Sequence, residues 1–176
     1  MLKTIFISGI HGVGKSYICG IINKELGISH YSASSLIREF REDLVVANKA
    51  VQNIKVNQSA LVEQYRKLKD ENLIIMDGHT CLLKDGLQSE RIPMAVFEAL
   101  DICALVHISA PVETIMERIK KRDGILHDTN RIEELLNDEC SYCQEIAIHL
   151  SVPMICIESD CAGISRVFEF VKQFIG

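Results

Sequence analysis

Gly9-Ile10-His11-Gly12-Val13-Gly14-Lys15-Ser16, directly after the apolar run Ile5-Phe6-Ile7, decides how this chain is read. The stretch satisfies G-x-x-x-x-G-K-[ST] at every fixed position, in the strand-then-helix context that a phosphate-binding loop requires. The glycines let the backbone curl until successive N–H groups point inward at anionic oxygens, and a helix beginning near Lys15 adds the positive end of its dipole. Lys15 is then placed for the β- and γ-phosphates of a nucleoside triphosphate, and the Ser16 hydroxyl for Mg²⁺. A glycine-rich turn that matches by accident is the competing reading, and four fixed positions in the right context weigh against it.

Outward from the loop, the apolar runs Ile5 to Ile7, Leu73 to Met76, Ile102 to Ile108 and Met154 to Ile157 are short and continuous, with helical periodicity between them. That is the pattern of parallel strands covered on both faces, an α/β, doubly wound sheet. A weaker strand is expected at Ile28 to Tyr31, after a first helix that Gly27 ends as a C′ residue. Helices are then expected after Ser32-Ala33-Ser34-Ser35, whose hydroxyls suit a cap, and from about Asn53 to Asp70, with Ile54, Leu61, Tyr65 and Leu68 on one face. Cys81 to Arg91, containing Lys84, Asp85 and Gly86, reads as a loop, and Pro93 suits the first turn of a helix to Leu100. Pro111 opens a helix through Arg122, and Arg131 enters another reaching Leu150.

The 176 residues, 48% hydrophobic and 24% charged, suffice for one domain with a filled core. A net charge of −5 gives no general attraction to nucleic acid or to an anionic membrane, so phosphate chemistry must use a local basic cluster. No apolar segment approaches the roughly 18 to 20 residues of a membrane span, and no signal peptide is recognisable at the N-terminus, so the chain reads as cytoplasmic. Seven cysteines, with Cys19, Cys103 and Cys156 inside apolar runs, argue against a disulfide framework. Cys140-Ser141-Tyr142-Cys143 is a lone C-x-x-C; it could supply half a zinc site, but two helical i,i+3 neighbours with nothing to complete four-fold coordination is the simpler reading.

Asp77 falls at the carboxyl end of a buried strand, where open α/β sheets bind ligands and where a carboxylate can hold Mg²⁺ through water. Gly78 allows a tight turn, and His79 could touch substrate or merely cap the strand. Arg118, Lys120, Lys121 and Arg122 end a helix beside a polar loop; cations suit a helix C-terminus, but this density in an acidic chain fits a phosphate clamp better. Arg38, flanked by Glu39 and Glu42, reads by itself as a solvated helix charge.

These residues resemble the nucleoside monophosphate kinases, and more closely the archaeal-type adenylate kinases and their bacterial P-loop kinase-like relatives, over nearly the whole chain. The resemblance implies a P-loop NTPase fold of nucleotide-kinase type: a five-stranded parallel sheet ordered 2-3-1-4-5, one domain over 1–176, an acceptor-binding helical insert at about 32–71 and a short lid at about 118–131. Gly9, His11, Gly12, Val13, Gly14, Lys15, Ser16 and Tyr17 correspond to the ATP loop, although His11 stands where many members have proline. Ser32 to Arg38 is similar to the S-x-G-D-x-x-R stretch whose arginine holds the acceptor's phosphate, which carries that role to Arg38 and puts Ser32 and Ser35 beside it; Ser35 replaces an acidic residue. Asn57-Gln58 falls in the acceptor-binding insert. Leu73 to His79 resembles the strand ending in D-G or D-T-H, so Asp77 inherits magnesium or acceptor positioning, with His79 on the acceptor side. Glu117 to Arg122 resembles the D-R-I-x-x-R motif of the lid, which implies that Arg118 stacks on adenine and Arg122 meets the transferring phosphate.

Two departures stand out. Thr80 and Cys81 occupy the place of the F-P-R that longer-lid members carry, and Glu139-Cys140 stands where archaeal-type members have an N-R pair, for which Arg131 is the available substitute. The expected activity is ATP- and Mg²⁺-dependent phosphoryl transfer to a small nucleotide or nucleoside acceptor, by a monomer or homodimer without membrane attachment. A nucleoside, nucleic-acid-end or other hydroxyl kinase, with Asp77 as base, is a second reading, and a regulatory ATP-binding module or ATPase a third. A GTPase is disfavoured because Asn48-Lys49 is followed by Ala50-Val51, which breaks N-K-x-D.

Overall fold

The computed structural model describes residues 2–46, 54–68, 71–84, 88–124 and 128–175. Strands β1 (Lys3–Ser8), β2 (Ser29–Ser32), β3 (Leu73–Asp77), β6 (Ile102–Ser109) and β7 (Met154–Glu158) form one parallel sheet in the order β2-β3-β1-β6-β7. Counted among themselves these strands run 2-3-1-4-5, as the resemblance implies. β2 begins and ends one residue later than the expected Ile28 to Tyr31, because it pairs from Ser29↔Ile74 to Ser32↔Asp77.

Alternation along the strands builds two cores. Ile5, Ile7, Ile75, Val106 and Ile108 face one side, against Ile18 and Ile22 of α1 (Lys15–Leu26), Ile115 and Ile119 of α5 (Val112–Asp123) and Val167 and Val171 of α7 (Cys161–Lys172). Phe6, Ile74, Met76 and Leu105 face the other, against Leu36 of α2 (Ala33–Val46), Leu61 and Tyr65 of α3 (Ile54–Arg66) and Phe97 of α4 (Met94–Glu98). The long α6 (Thr129–Leu150) serves both cores, giving Ile132 to the first and Tyr142, Cys143 and Ile146 to the second. The central strands β1, β3 and β6 are thus buried on both faces, which is why their sequences read as continuous apolar runs, whereas the edge strands β2 and β7 are partly exposed. Gly27 ends α1 in the left-handed region, φ 67°, with its N–H bonded to Asn23 O, as a C′ glycine does.

Three expectations are corrected. The segment Cys81 to Arg91 is an antiparallel hairpin, β4 (Cys81–Lys84) with β5 (Gln88–Arg91), rather than a loop; its turn, with Asp85 and Gly86, lies outside the described residues. Its tie to α6 explains the structure: the Arg91 guanidinium donates to both carboxylate oxygens of Glu145 at 2.7 and 2.9 Å and lies 4.5 Å from the centre of the Tyr142 ring. The helix after Pro93 ends at Glu98, short of Leu100, because the chain turns into β6 through Asp101, whose φ of 45° is left-handed. The helix expected from Asn53 to Asp70, both outside the described residues, is α3, ending at Arg66 with turns at Lys67 and Leu68.

Candidate active site

The loop between β1 and α1 is held by its glycines. Gly9 has φ 148°, and a Cβ there would lie 2.5 Å from the Ile108 carbonyl oxygen of the neighbouring strand, so no other residue fits. Gly14, φ 99°, is the N-cap of α1 and offers no side chain to the helix's first N–H groups. Those donors are left for an external anion, reinforced by the helix dipole. Lys15 is buried, and its ammonium donates to the carbonyls of Gly9 and Ile10. Burial pushes its pKa below the usual lysine value, and the nearby carboxylates of Glu139 and Asp77 pull it back up. The lysine is therefore folded onto its own loop, where an arriving phosphate can exchange for the two carbonyls.

Glu139 is the residue the sequence reading passed over. It is fully buried on α6, and its carboxylate accepts from the N–H of Gly9 (3.2 Å), Thr80 (2.8 Å) and Cys81 (2.8 Å), while its own carbonyl accepts from Thr80 Oγ1 (3.2 Å). Burial raises its pKa, and the Thr80 and Cys81 amides and Lys15 oppose that rise. One side chain thus fastens the start of the phosphate loop to the corner that follows β3. Isolated in sequence, a lone Glu at the site of the family's N-R pair gives no sign of this, since its three partners lie 58 to 130 residues away.

A cavity of about 730 Å³ opens over the carboxyl ends of the strands, a size suited to small-molecule ligands. His11, Gly12, Gly14, Lys15, Ser16 and Tyr17 line its loop end; Tyr17 is 69% exposed. Asp77 lies in its wall, its Oδ2 2.6 Å from His30 Nε2. The His11 and His79 rings stack at 4.3 Å, tilted by 49°, and burial with the adjacent Lys15 and His11 pushes the His79 pKa down to about 2, so the His79 ring stays neutral. Arg118 also lines the cavity and donates to Gly12 O (3.0 Å) and Ser159 Oγ (3.3 Å); Arg122 lines it beside Lys15, which feels its positive charge. Val13 is buried under the loop in the first core. The middle of the expected lid, residues 125–127, lies outside the described residues.

Another wall comes from the end of β2 and from α2 and α3. Ser32, Ser34, Ile37, Arg41, Asn57 and Gln58 line it. Arg41 donates to Asn57 Oδ1 through Nε (3.1 Å) and Nη2 (2.7 Å), a bridge between the two helices. Arg38 and Ser35, the cation and hydroxyl taken from the resemblance, are not among the residues lining the cavity, and Arg38 is exposed. Around the helix Arg41 falls between the lining Ser34 and Ile37, whereas Arg38 falls outside that arc, beyond Ser34 and about 100° from Ile37. Arg131 also lies off the lining and reaches Glu134 at 3.7 Å. Cys140 and Cys143 are free thiols; Cys143 is buried in the second core, where its Sγ accepts from Ser8 Oγ at 3.1 Å.

Three comparisons bear on this arrangement. The family model described as "AAA domain" matches residues 8–135, which begin at the phosphate loop and end in α6. A cytidylate kinase of Sulfurisphaera tokodaii is 29% identical over 157 residues, 85% of this chain and 78% of that protein. A cytidylate kinase of Ignicoccus hospitalis is 26% identical, over 78% of this chain and 74% of its own. The crystal structure of shikimate kinase from Bacteroides thetaiotaomicron superposes with a TM-score of 0.57 over 97% of this chain and 96% of that one, at 10% identity, a likeness of fold alone.

Proposed function

Because the chain belongs to the family of the AAA-domain model that spans residues 8–135 and is similar to cytidylate kinases, we propose that it transfers the γ-phosphoryl group of ATP to a nucleoside monophosphate, with cytidylate the favoured acceptor. The observation that carries this reading is the single cavity with a phosphate loop at one end and Arg41, bridged to Asn57, at the other. Two anion-binding ends with Arg118 and Arg122 beside the loop suit two phosphorylated ligands set end to end. The acceptor's base is assigned from the relatives' printed activity.

In this reading an oxygen of the acceptor's phosphate attacks the γ-phosphorus, the bond from that phosphorus to the bridging oxygen breaks, and ADP leaves with the electron pair. The protein's share is positioning and charge neutralisation. Lys15 leaves the Gly9 and Ile10 carbonyls for the β- and γ-oxygens, the N–H groups at the start of α1 hold the β-phosphate, and Arg122 balances charge on the transferring group. Arg41 fixes the acceptor's phosphate, and Asn57 and Gln58 face its nucleoside. Mg²⁺ fits the donors present, because the exposed Ser16 hydroxyl and the Asp77 carboxylate are hard oxygens on one cavity; when bound it would neutralise β- and γ-phosphate charge.

The test is ADP release by the purified chain with ATP and Mg²⁺ against CMP, dCMP, UMP, AMP and GMP, and against gluconate and shikimate as hydroxyl acceptors. Stimulation by CMP above the other monophosphates is expected. Stimulation by a hydroxyl acceptor alone would replace the monophosphate with the second reading, in which Asp77, oriented by His30, takes the hydroxyl proton. ADP release indifferent to every acceptor would leave an ATPase.

A further inference from the structure

Against the cavity wall a second group of donors converges, and phosphoryl transfer uses only one of them. Cys19 on α1, His30 on β2 and Asp77 at the end of β3 each present one ligand atom, and the three atoms lie within 4.8 Å of one another. We propose that Cys19, His30 and Asp77 form a site for a thiophilic divalent ion of the Zn²⁺ class, and that its occupation withdraws Asp77 from phosphoryl transfer. The inhibitory half rests on the kinase reading; the binding half does not.

The donor set selects the ion. Mg²⁺ demands oxygen ligands in near-octahedral array, whereas a thiolate, an imidazole nitrogen and a carboxylate oxygen are the ligands of tetrahedral Zn²⁺. Bonds of about 2.0 to 2.3 Å in a tetrahedron put ligand atoms roughly 3.3 to 3.8 Å apart. From a spacing within 4.8 Å, any contraction needed is at most about 1.5 Å, and the 2.6 Å His30–Asp77 pair widens by less than about 1 Å, both within side-chain movement. Thiolate and carboxylate together cancel the dication's charge. Lys15 is the adjacent cation, and its ammonium is already turned to the Gly9 and Ile10 carbonyls. Three protein ligands leave the fourth position for water, as in open zinc sites.

Placement gives the site its consequence. Cys19 follows Lys15 and Ser16 by one helical turn, so the ion would sit against the first turn of the helix that holds the nucleotide's phosphates. Cys19 is fully buried, while the His30 and Asp77 side chains are 21% and 8% exposed, so the ion has a way in past the imidazole. Bare, the trio is a core thiol beside a histidine–aspartate pair, and the difference is measurable.

The experiment titrates Co²⁺ into the purified, reduced full chain without nucleotide or Mg²⁺. A thiolate-to-cobalt charge-transfer band saturating at one ion per chain is expected. Cys19→Ala should abolish the band, and His30→Ala should weaken binding by about a hundredfold or more, since even indirect partners of metal ligands cost that order. Cys140→Ala and Cys161→Ala should leave it unchanged. In turnover with Mg²⁺ and ATP, Zn²⁺ should inhibit the wild type, and Cys19→Ala should keep basal turnover while losing the inhibition. No band, or a band intact in both Cys19→Ala and His30→Ala, overturns the site. Should Cys19→Ala fail to fold, the His30→Ala titration decides alone. A band of the expected dependence without inhibition overturns the regulatory half only, and absent turnover with every acceptor strikes the kinase reading while the cobalt result stands.

Discussion

The two ends of the cavity are built differently. The loop end is held by buried backbone contacts: Gly9 pressed on Ile108 O, Lys15 on two carbonyls, and Glu139 drawing Gly9, Thr80 and Cys81 onto one carboxylate. The wall proposed for the acceptor is held by exposed side chains meeting side chains, Arg41 on Asn57 and Ser32 Oγ 2.9 Å from Ser34 Oγ. Buried, fully satisfied polar groups cost much to disturb, whereas exposed pairs contribute little to stability. The loop end is thus a fixed cradle, and the proposed acceptor end can change partners without endangering the fold.

The largest expected effect tests the loop end directly. Lys15→Ala should keep the fold and lower kcat/KM by about 10² to 10³, the usual loss for one preorganised charge contact. Retention of more than about a tenth of wild-type turnover would detach the loop from catalysis. Next is Glu139→Ala, which strands three buried N–H groups and should cost on the order of 3 kcal/mol in urea unfolding, whereas Asn57→Ala at the acceptor end should cost under about 1 kcal/mol. Equal costs would erase the contrast between the two ends.

His107 adds a pH test of the loop end. It is 2% exposed, with Nδ1 3.0 Å from Ser8 Oγ, and burial followed by the Lys15 charge lowers its pKa to about 4. The unfolded chain protonates near the ordinary value of about 6.5, so it binds more protons than the folded chain between these two pH values. Stability should be fully present above about pH 6.5 and decline as pH falls to about 4, by on the order of 2 to 3 kcal/mol from this group. His107→Asn should flatten that decline in denaturant melts; an unchanged slope would assign the acid loss elsewhere.

Arg41→Ala sharpens the acceptor end: the monophosphate KM should rise roughly tenfold to a hundredfold, the equivalent of a charge-assisted hydrogen bond of about 1.5 to 3 kcal/mol, with the ATP KM unchanged. The smallest effect belongs to Arg38→Ala, within about twofold on either substrate, as for an exposed helix charge. A large Arg38 effect with a small Arg41 effect would return the acceptor's phosphate to the position the resemblance implies.

What the sequence determined by itself is local or periodic. The loop is legible because its glycines and Lys15-Ser16 are adjacent and each has a conformational or chemical reason that survives any packing, and the parallel sheet because burial on both faces leaves continuous apolar runs. The Cys81 to Arg91 hairpin escaped because Gln88-Ser89-Glu90-Arg91 has no strand pattern, and its anchor, Glu145 with Tyr142, lies more than fifty residues on. Which of Arg38 and Arg41 faces the cavity depends on how α2 is rotated against α3, set by Leu36 and Leu61 in the core and by the bridge to Asn57. Glu139 under the loop, and the meeting of Cys19, His30 and Asp77, join elements far apart in the chain. Only the tertiary structure could decide these, because a polar side chain's partner is fixed by where the backbone has been carried and leaves no periodicity in the sequence.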